Sequence, residues 1–165
     1  MTGATRFMLG LLAALAGAAT QAAELQPFVA GSMQQIRSAH ADQPFVLALW
    51  SITCPHCQEE LAQLGKLQQQ HPELNVVLVS TDTPDDAEAL TAILARHGLA
   101  RAETWVYADA FVERLRFEID PRWGGELPRT YFFDRVHAVT ARSGALAPAE
   151  LERWAVTPVA PTATP

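Results

Sequence analysis

The chain has 165 residues, 49% of them hydrophobic and 18% charged, which bounds it to one domain of ordinary globular composition. Its formal charge is −6 and it contains no basic run, so nucleic acid and an anionic membrane surface are excluded as expected partners.

In chain order, the first segment is set apart from the fold. Arg6 supplies a positive start, Phe7 to Ala19 is apolar and rich in Leu and Ala, and Thr20-Gln21-Ala22-Ala23 precedes the first acid, Glu24. This resembles a secretory signal peptide over residues 1–23, with Gln21 making the cleavage site imperfect. The apolar stretch is shorter than the roughly 20 residues of a spanning helix. The expected product is therefore periplasmic and without stable membrane association; an uncleaved anchor is the other reading. Loss of Arg6 would take the basic count from 12 to 11 against 18 acids, and the charge from −6 to −7.

The remaining residues, 24–156, are expected to form the domain. Ser32-Met33-Gln34-Gln35 has the form of a capping box and predicts a helix to about His40. After an Asp42-Gln43-Pro44 turn, Phe45 to Trp50 reads as a buried strand. A helix follows the cysteines to about Gln70, with Leu61, Leu64 and Leu67 at helical spacing and His71-Pro72 ending it. Leu74 to Ser80 is β-branched and apolar, a central strand. Thr83-Pro84-Asp85-Asp86 opens another helix, with Gly98 near its end. Then come a strand from Thr104 to Tyr107, a helix from Ala110 to Phe117 and a Gly/Pro-rich loop from Pro121 to Pro128. Arg129–Asp134 and Val136–Ala141 read as strands around a tight turn, and Ala147–Ala155 as the last helix. Residues 157–165, rich in Pro, Thr and Ala, are expected to be a disordered tail. Alternating strands and helices predict an α/β fold with a mostly parallel sheet, helices on both faces and a terminal antiparallel hairpin.

The two cysteines stand in Cys54-Pro55-His56-Cys57, at the junction of a strand and a helix. Residues three apart in a first helical turn bring their Cα atoms within about 5–6 Å, the separation a disulfide needs. The first thiol meets the unpaired N–H groups and positive dipole end of the helix, which favour a thiolate. Pro55 falls at the first helical position, where its missing N–H costs nothing. A purely structural disulfide here would close almost no loop and restrict the unfolded chain little. A zinc half-site needs more ligands, and the His residues at 40, 56, 71, 97 and 137 contain no pair at helical spacing. Haem attachment needs His after the second Cys, where Gln58 stands. Two readings stay open: a redox pair, and a copper carrier in which thiolates hold Cu(I) and a distant His such as His137 completes the site.

The whole pattern resembles the thioredoxin fold, and within it the exported TlpA/ResA-like group, over about residues 26–156. The residues that carry the likeness are Trp50-Ser51-Ile52-Thr53-Cys54-Pro55-His56-Cys57, then Gly125-Glu126-Leu127-Pro128-Arg129-Thr130 before the strand at Tyr131, and an extra helix and strand between them. The chain departs from relatives that place Trp directly before the first Cys, since it has Thr53 there. It lacks thioredoxin's buried acid, with Ala48 at that position, and its Pro-His between the cysteines is similar to the oxidase DsbA.

The resemblance implies a thiol–disulfide oxidoreductase that needs no bound cofactor. Its partners would be protein thiols or disulfides and a second redox protein that resets the pair. Cys54 would be the nucleophile and Cys57 the resolving thiol of a Cys54–Cys57 disulfide. His56 would stabilise the Cys54 thiolate, or else be an ordinary exposed loop residue. Glu60, one turn beyond Cys57, matches an acid common in this group; buried, it would hold its proton and relay it to Cys57, and exposed it would be an ordinary surface acid. Pro128 would be cis beside the cysteines, leaving the Leu127 backbone free for an extended substrate. Leu127, Trp50 and Pro55 are the candidate substrate contacts, with core packing at the strand end as the other and favoured reading of Trp50, and Trp123 and Arg129 flank the groove. The direction, reductase or oxidase, is left open by the mixture of features.

Overall fold

The structure, a computed structural model, describes residues 24–156. The expected signal peptide and the expected tail lie outside the described residues. Among the described residues, no helix is long and apolar enough to cross a membrane.

One six-stranded sheet runs through the domain in the order β1-β4-β3-β2-β5-β6. The strands are β1 (Leu25–Phe28), β2 (Phe45–Trp50), β3 (Asn75–Ser80), β4 (Glu103–Tyr107), β5 (Arg129–Phe133) and β6 (Val139–Ser143). The first four are parallel, whereas β5 runs antiparallel to β2 and β6 antiparallel to β5. This is the sheet that the alternating pattern predicts; β1 had no residue range from periodicity because its four residues are too few to show one.

β2 has no polar residue in its sequence because both of its faces are covered. Val46, Ala48 and Trp50 pack with α2 (Pro55–Gln70), α3 (Ala87–Arg96) and α5 (Pro148–Val156). Phe45, Leu47 and Leu49 point to the other face, against Met33 and Ile36 of α1 (Ser32–Ala39) and Leu115 of α4 (Val112–Ile119). Each fully buried Leu or Val there contributes roughly 1.5–3 kcal/mol. Gly65 of α2 lies against the His97 carbonyl that ends α3, so close that a Cβ would overlap it. Glycine at that position lets the two helices share one face of the sheet.

Three local expectations are revised. The capping box at Ser32 does not form. The N-cap is Gly31 at φ 91°, and Ser32 Oγ instead accepts the Val29 N–H at 2.9 Å. The free donors at this helix start are met from α4, because the Glu118 carboxylate accepts the N–H groups of Gly31 and Met33 at 2.9–3.0 Å. The second hairpin strand begins at Val139 rather than Val136. Asp134 accepts the Val136 and Ala138 N–H groups at 2.9 and 2.8 Å, and His137 takes φ 58°, which commits these residues to the turn. Finally, α4 runs two residues later than expected: Asp109 accepts the Phe111 N–H at 2.9 Å just ahead of it.

Candidate active site

The site sits where β2 ends. Trp50 is opposite Ser80 of β3, and the Thr81 N–H donates to the Trp50 carbonyl at 2.9 Å. Ser51, Ile52 and Thr53 then carry the chain to Cys54, the N-cap of α2, with φ −98° and ψ 104°. Pro55 follows as the first helical residue, exposed and without an N–H to satisfy. Cys54 and Cys57 are joined in a disulfide with Cα atoms 5.3 Å apart. The Cys57 N–H points at Cys54, 3.2 Å from its Sγ and 3.1 Å from its carbonyl oxygen. A helix-start donor therefore already addresses the sulfur that would become a thiolate. Cys57 is fully buried, while Cys54 is only partly so.

Glu60 lies inside, 2% exposed. Thr130 Oγ1 donates to one carboxylate oxygen, and the Leu146 N–H donates to the other at 3.3 Å. Burial pushes this carboxyl above its ordinary value, against the opposing pull of those two bonds. The acid thus favours holding a proton one turn from the buried cysteine. The ordinary surface position is taken by Glu59, whose Oε2 is 3.6 Å from Nδ1 of His56. The His56 ring itself faces solvent and Glu59, 73% exposed.

The third part of the site is the loop ahead of β5. Leu49 pairs with Arg129, so Pro128 falls beside Trp50 at the sheet end that leads to the cysteines. The Leu127–Pro128 bond is cis, and Leu127 packs against the same cluster as Cys54 and Ile52. Among the described residues, the Leu127 N–H and carbonyl take no hydrogen-bond partner, whereas the Pro128 carbonyl accepts the Gly144 N–H at 2.9 Å. Arg129 fixes the loop from beneath. It pairs with the buried Asp120 at 3.1 Å, donates to Ser143 Oγ at 2.6 Å and lies 4.9 Å over the Tyr131 ring. Burial pushes the Asp120 carboxyl upward, but the Arg122 N–H and Arg129 outweigh it and hold it below its ordinary value.

Some expected site residues lie elsewhere. Trp50 is 1% exposed and packs in the core with Cys57 and Leu61, so it is not a substrate contact. Its strand-end position put it near the cysteines, but β2 turns its side chain inward beneath α2. Trp123 is also buried, its indole N–H donating to the Glu126 carbonyl at 2.8 Å, so it supports the loop rather than lining a groove. His137 is at the opposite end of β2, edge-on to Phe45 and hydrogen-bonded to the His40 carbonyl at 3.0 Å. A six-residue strand separates it from the cysteines, about 17–20 Å.

The residue that the sequence reading did not single out is Asp82. Its carboxylate accepts from Ser51 Oγ, the Ile52 N–H and Ser80 Oγ at 2.8, 2.9 and 2.7 Å. The available signal was its place just past a central parallel strand, at the sheet end where α/β folds put their sites.

The sequence matches the AhpC/TSA family over residues 17–142. The chain belongs to the AhpC/TSA family. No curated protein sequence matches it. Among solved structures, this AhpC/TSA member is similar to a secreted disulfide oxidoreductase of Mycobacterium tuberculosis homologous to E. coli DsbE. The TM-score is 0.58 at 20% identity, over 72% of this chain and 84% of that one. It is similar to MTB DsbF at TM-score 0.56 and 24% identity, over 72% and 82% of the two chains. A third likeness is to a thioredoxin-family thiol:disulfide interchange protein of Chlorobium tepidum, at TM-score 0.56 and 15% identity, over 72% and 81%. These likenesses establish a thioredoxin-like fold, in agreement with the strand order and with the fold class that the sequence implied.

Proposed function

We propose that this protein is an exported thiol–disulfide oxidoreductase of the TlpA/ResA-like kind, exchanging disulfides with other proteins through Cys54 and Cys57. The observation that carries the reading is the asymmetry of the pair: an accessible N-cap cysteine whose sulfur faces a helix N–H, joined to a fully buried partner. In the reducing direction, a thiolate at Cys54 attacks a client disulfide, forms a mixed disulfide and releases one client thiolate. Cys57 gives up its proton and attacks Cys54 Sγ, which re-forms the Cys54–Cys57 bond and expels the second client thiolate. The two electrons lost by the pair are those gained by the client, and a separate dithiol donor restores the pair. The oxidising direction is the same sequence reversed.

Glu60 is buried one turn away, and burial raises its proton affinity, so its carboxylate can take the Cys57 proton and return it when the pair is next reduced. The unpartnered Leu127 N–H and carbonyl offer an edge to an extended client segment, giving affinity without side-chain selectivity. Pro55, exposed beside Cys54, is the remaining expected contact. Export is supported by the signal-like N-terminal sequence, which also puts the pair where disulfides persist.

The test is trapping. Cys57→Ala should accumulate mixed disulfides with reduced-and-oxidised client mixtures through Cys54, seen as reductant-sensitive adducts, while Cys54→Ala should accumulate none. Adducts on the Cys54→Ala chain instead would reverse the two roles, and adducts on neither would end the exchange reading.

A further inference from the structure

We propose that Asp82 is the positioning residue for the nucleophile: it holds the Ser51–Thr53 segment so that Cys54 stays at the N-cap of α2 in both redox states. This rests on the exchange role proposed above. Burial falls away along the short segment between β2 and α2: Ser51 is buried, Ile52 half-buried and Thr53 exposed. One carboxylate supplies what packing does not. Oδ2 accepts the Ile52 N–H at 2.9 Å and the Ser80 hydroxyl at 2.7 Å, and Oδ1 accepts the Ser51 hydroxyl at 2.8 Å. Ser51 Oγ then accepts the Thr53 N–H at 3.3 Å and lies 3.1 Å from Thr53 Oγ1, while the Ser51 carbonyl accepts the Cys54 N–H at 3.2 Å. Each residue of the segment is thus tied, directly or through Ser51, to Asp82.

Asp82 is itself held to the sheet. Its N–H donates to Ser80 Oγ at 3.0 Å, and Ser80 is a fully buried residue of β3. The segment bearing the nucleophile is therefore referenced to the neighbouring strand, not to α2 alone. A network in which one side chain serves several donors is costly to dismantle. With the disulfide broken, the sulfur-to-sulfur bond no longer restrains Cys54, and the Asp82 network becomes the restraint that keeps its sulfur in line with the Cys57 N–H.

The test measures iodoacetamide alkylation of Cys54 against pH in a Cys57→Ala background, where it is the one thiol. His56, Glu59 and Glu60, the titratable groups of the same helix turn, stay unchanged throughout. Asp82→Asn keeps the shape: its oxygen accepts the Ile52 N–H while its amide donates to Ser51 Oγ, which accepts as readily as it donates. That variant should alkylate within about twofold of its parent. Asp82→Ala removes the anchor and should slow alkylation at neutral pH roughly tenfold, through loss of the hydrogen bonds that Asn keeps, with the profile moved to higher pH. Ser51→Ala should shift the same way. Equal effects of the two Asp82 substitutions, in either direction, would show a charge effect and overturn the proposal. An unchanged rate in Asp82→Ala with only a lower melting temperature would reduce Asp82 to a structural residue. If Asp82→Ala does not fold, Ser51→Ala decides, and an unchanged rate there overturns the proposal. Alkylation needs no client, so these outcomes are separate from the trapping result, which bears on the exchange reading itself.

Discussion

At the scale of single residues, the environment of each sulfur sets its chemistry. Cys54 has a helix N–H 3.2 Å from its sulfur and partial access to solvent, whereas Cys57 is fully buried. The Cys54 thiol should titrate below the ordinary value of about 8.5, read from thiolate absorbance in Cys57→Ser. His56 is the exposed residue just ahead of Cys57, and its ring N–H is a donor of the kind a thiolate accepts. His56→Ala should therefore make the disulfide harder to reduce by tens of millivolts, because a hydrogen bond to a charged group is worth roughly 1.5–3 kcal/mol and about 30 mV corresponds to 1.4 kcal/mol. A glutathione redox titration reads this directly, and an unchanged potential would return His56 to an ordinary exposed residue. The placement of the two cysteines at the start of α2 was legible because it depends on neighbours within one helical turn. Trp50 carried two readings in the sequence, core and substrate platform, and its burial decides for the core, because which way a strand-end side chain turns is set by what packs on either face of the sheet.

At the scale of elements, α2 is the platform, and one of the contacts that seat it has no room for a side chain. Gly65 faces the His97 carbonyl at the end of α3, a partner 32 positions further along the chain that cannot yield without moving the helix end. Gly65→Ala should force the helices apart and destabilise the domain by about 1–3 kcal/mol, the usual cost of overpacking. Chemical denaturation of the oxidised protein checks it, and a gain in stability, as expected for Ala at an open helical position, would show that the contact relaxes freely. Helix and strand spans followed closely from periodicity, since burial of one stripe or both faces is written into the local pattern. Helix starts did not. Ser32 has the sequence of a cap, yet Glu118 satisfies that helix from α4, and only the fold brings those residues together.

At the scale of the molecule, the buried acid gives folding a pH dependence of known sign. Glu60 has a folded-state value raised above the unfolded one by burial, so the folded chain holds the extra proton between the two. Stability should then fall as pH rises from about 4.5 through the raised folded value, a loss in which the native state must either release the proton or keep a charge in the core. Glu60→Gln should flatten that part of the profile and be the more stable chain at its upper end; urea melts of the oxidised protein across this range measure it. An unaltered slope would place the titration elsewhere. The sequence by itself determined the cysteine pair at a strand–helix junction and the α/β alternation, because spacing and periodicity act between near neighbours, and the resemblance pointed to the loop bearing Pro128. Only the tertiary structure decided that Glu60 is buried beside Thr130 and that Asp82 accepts hydrogen bonds from Ser51 and Ile52. Those facts rest on partners some 30 to 70 positions apart, and burial and hydrogen bonding between them exist only once the sheet has been assembled.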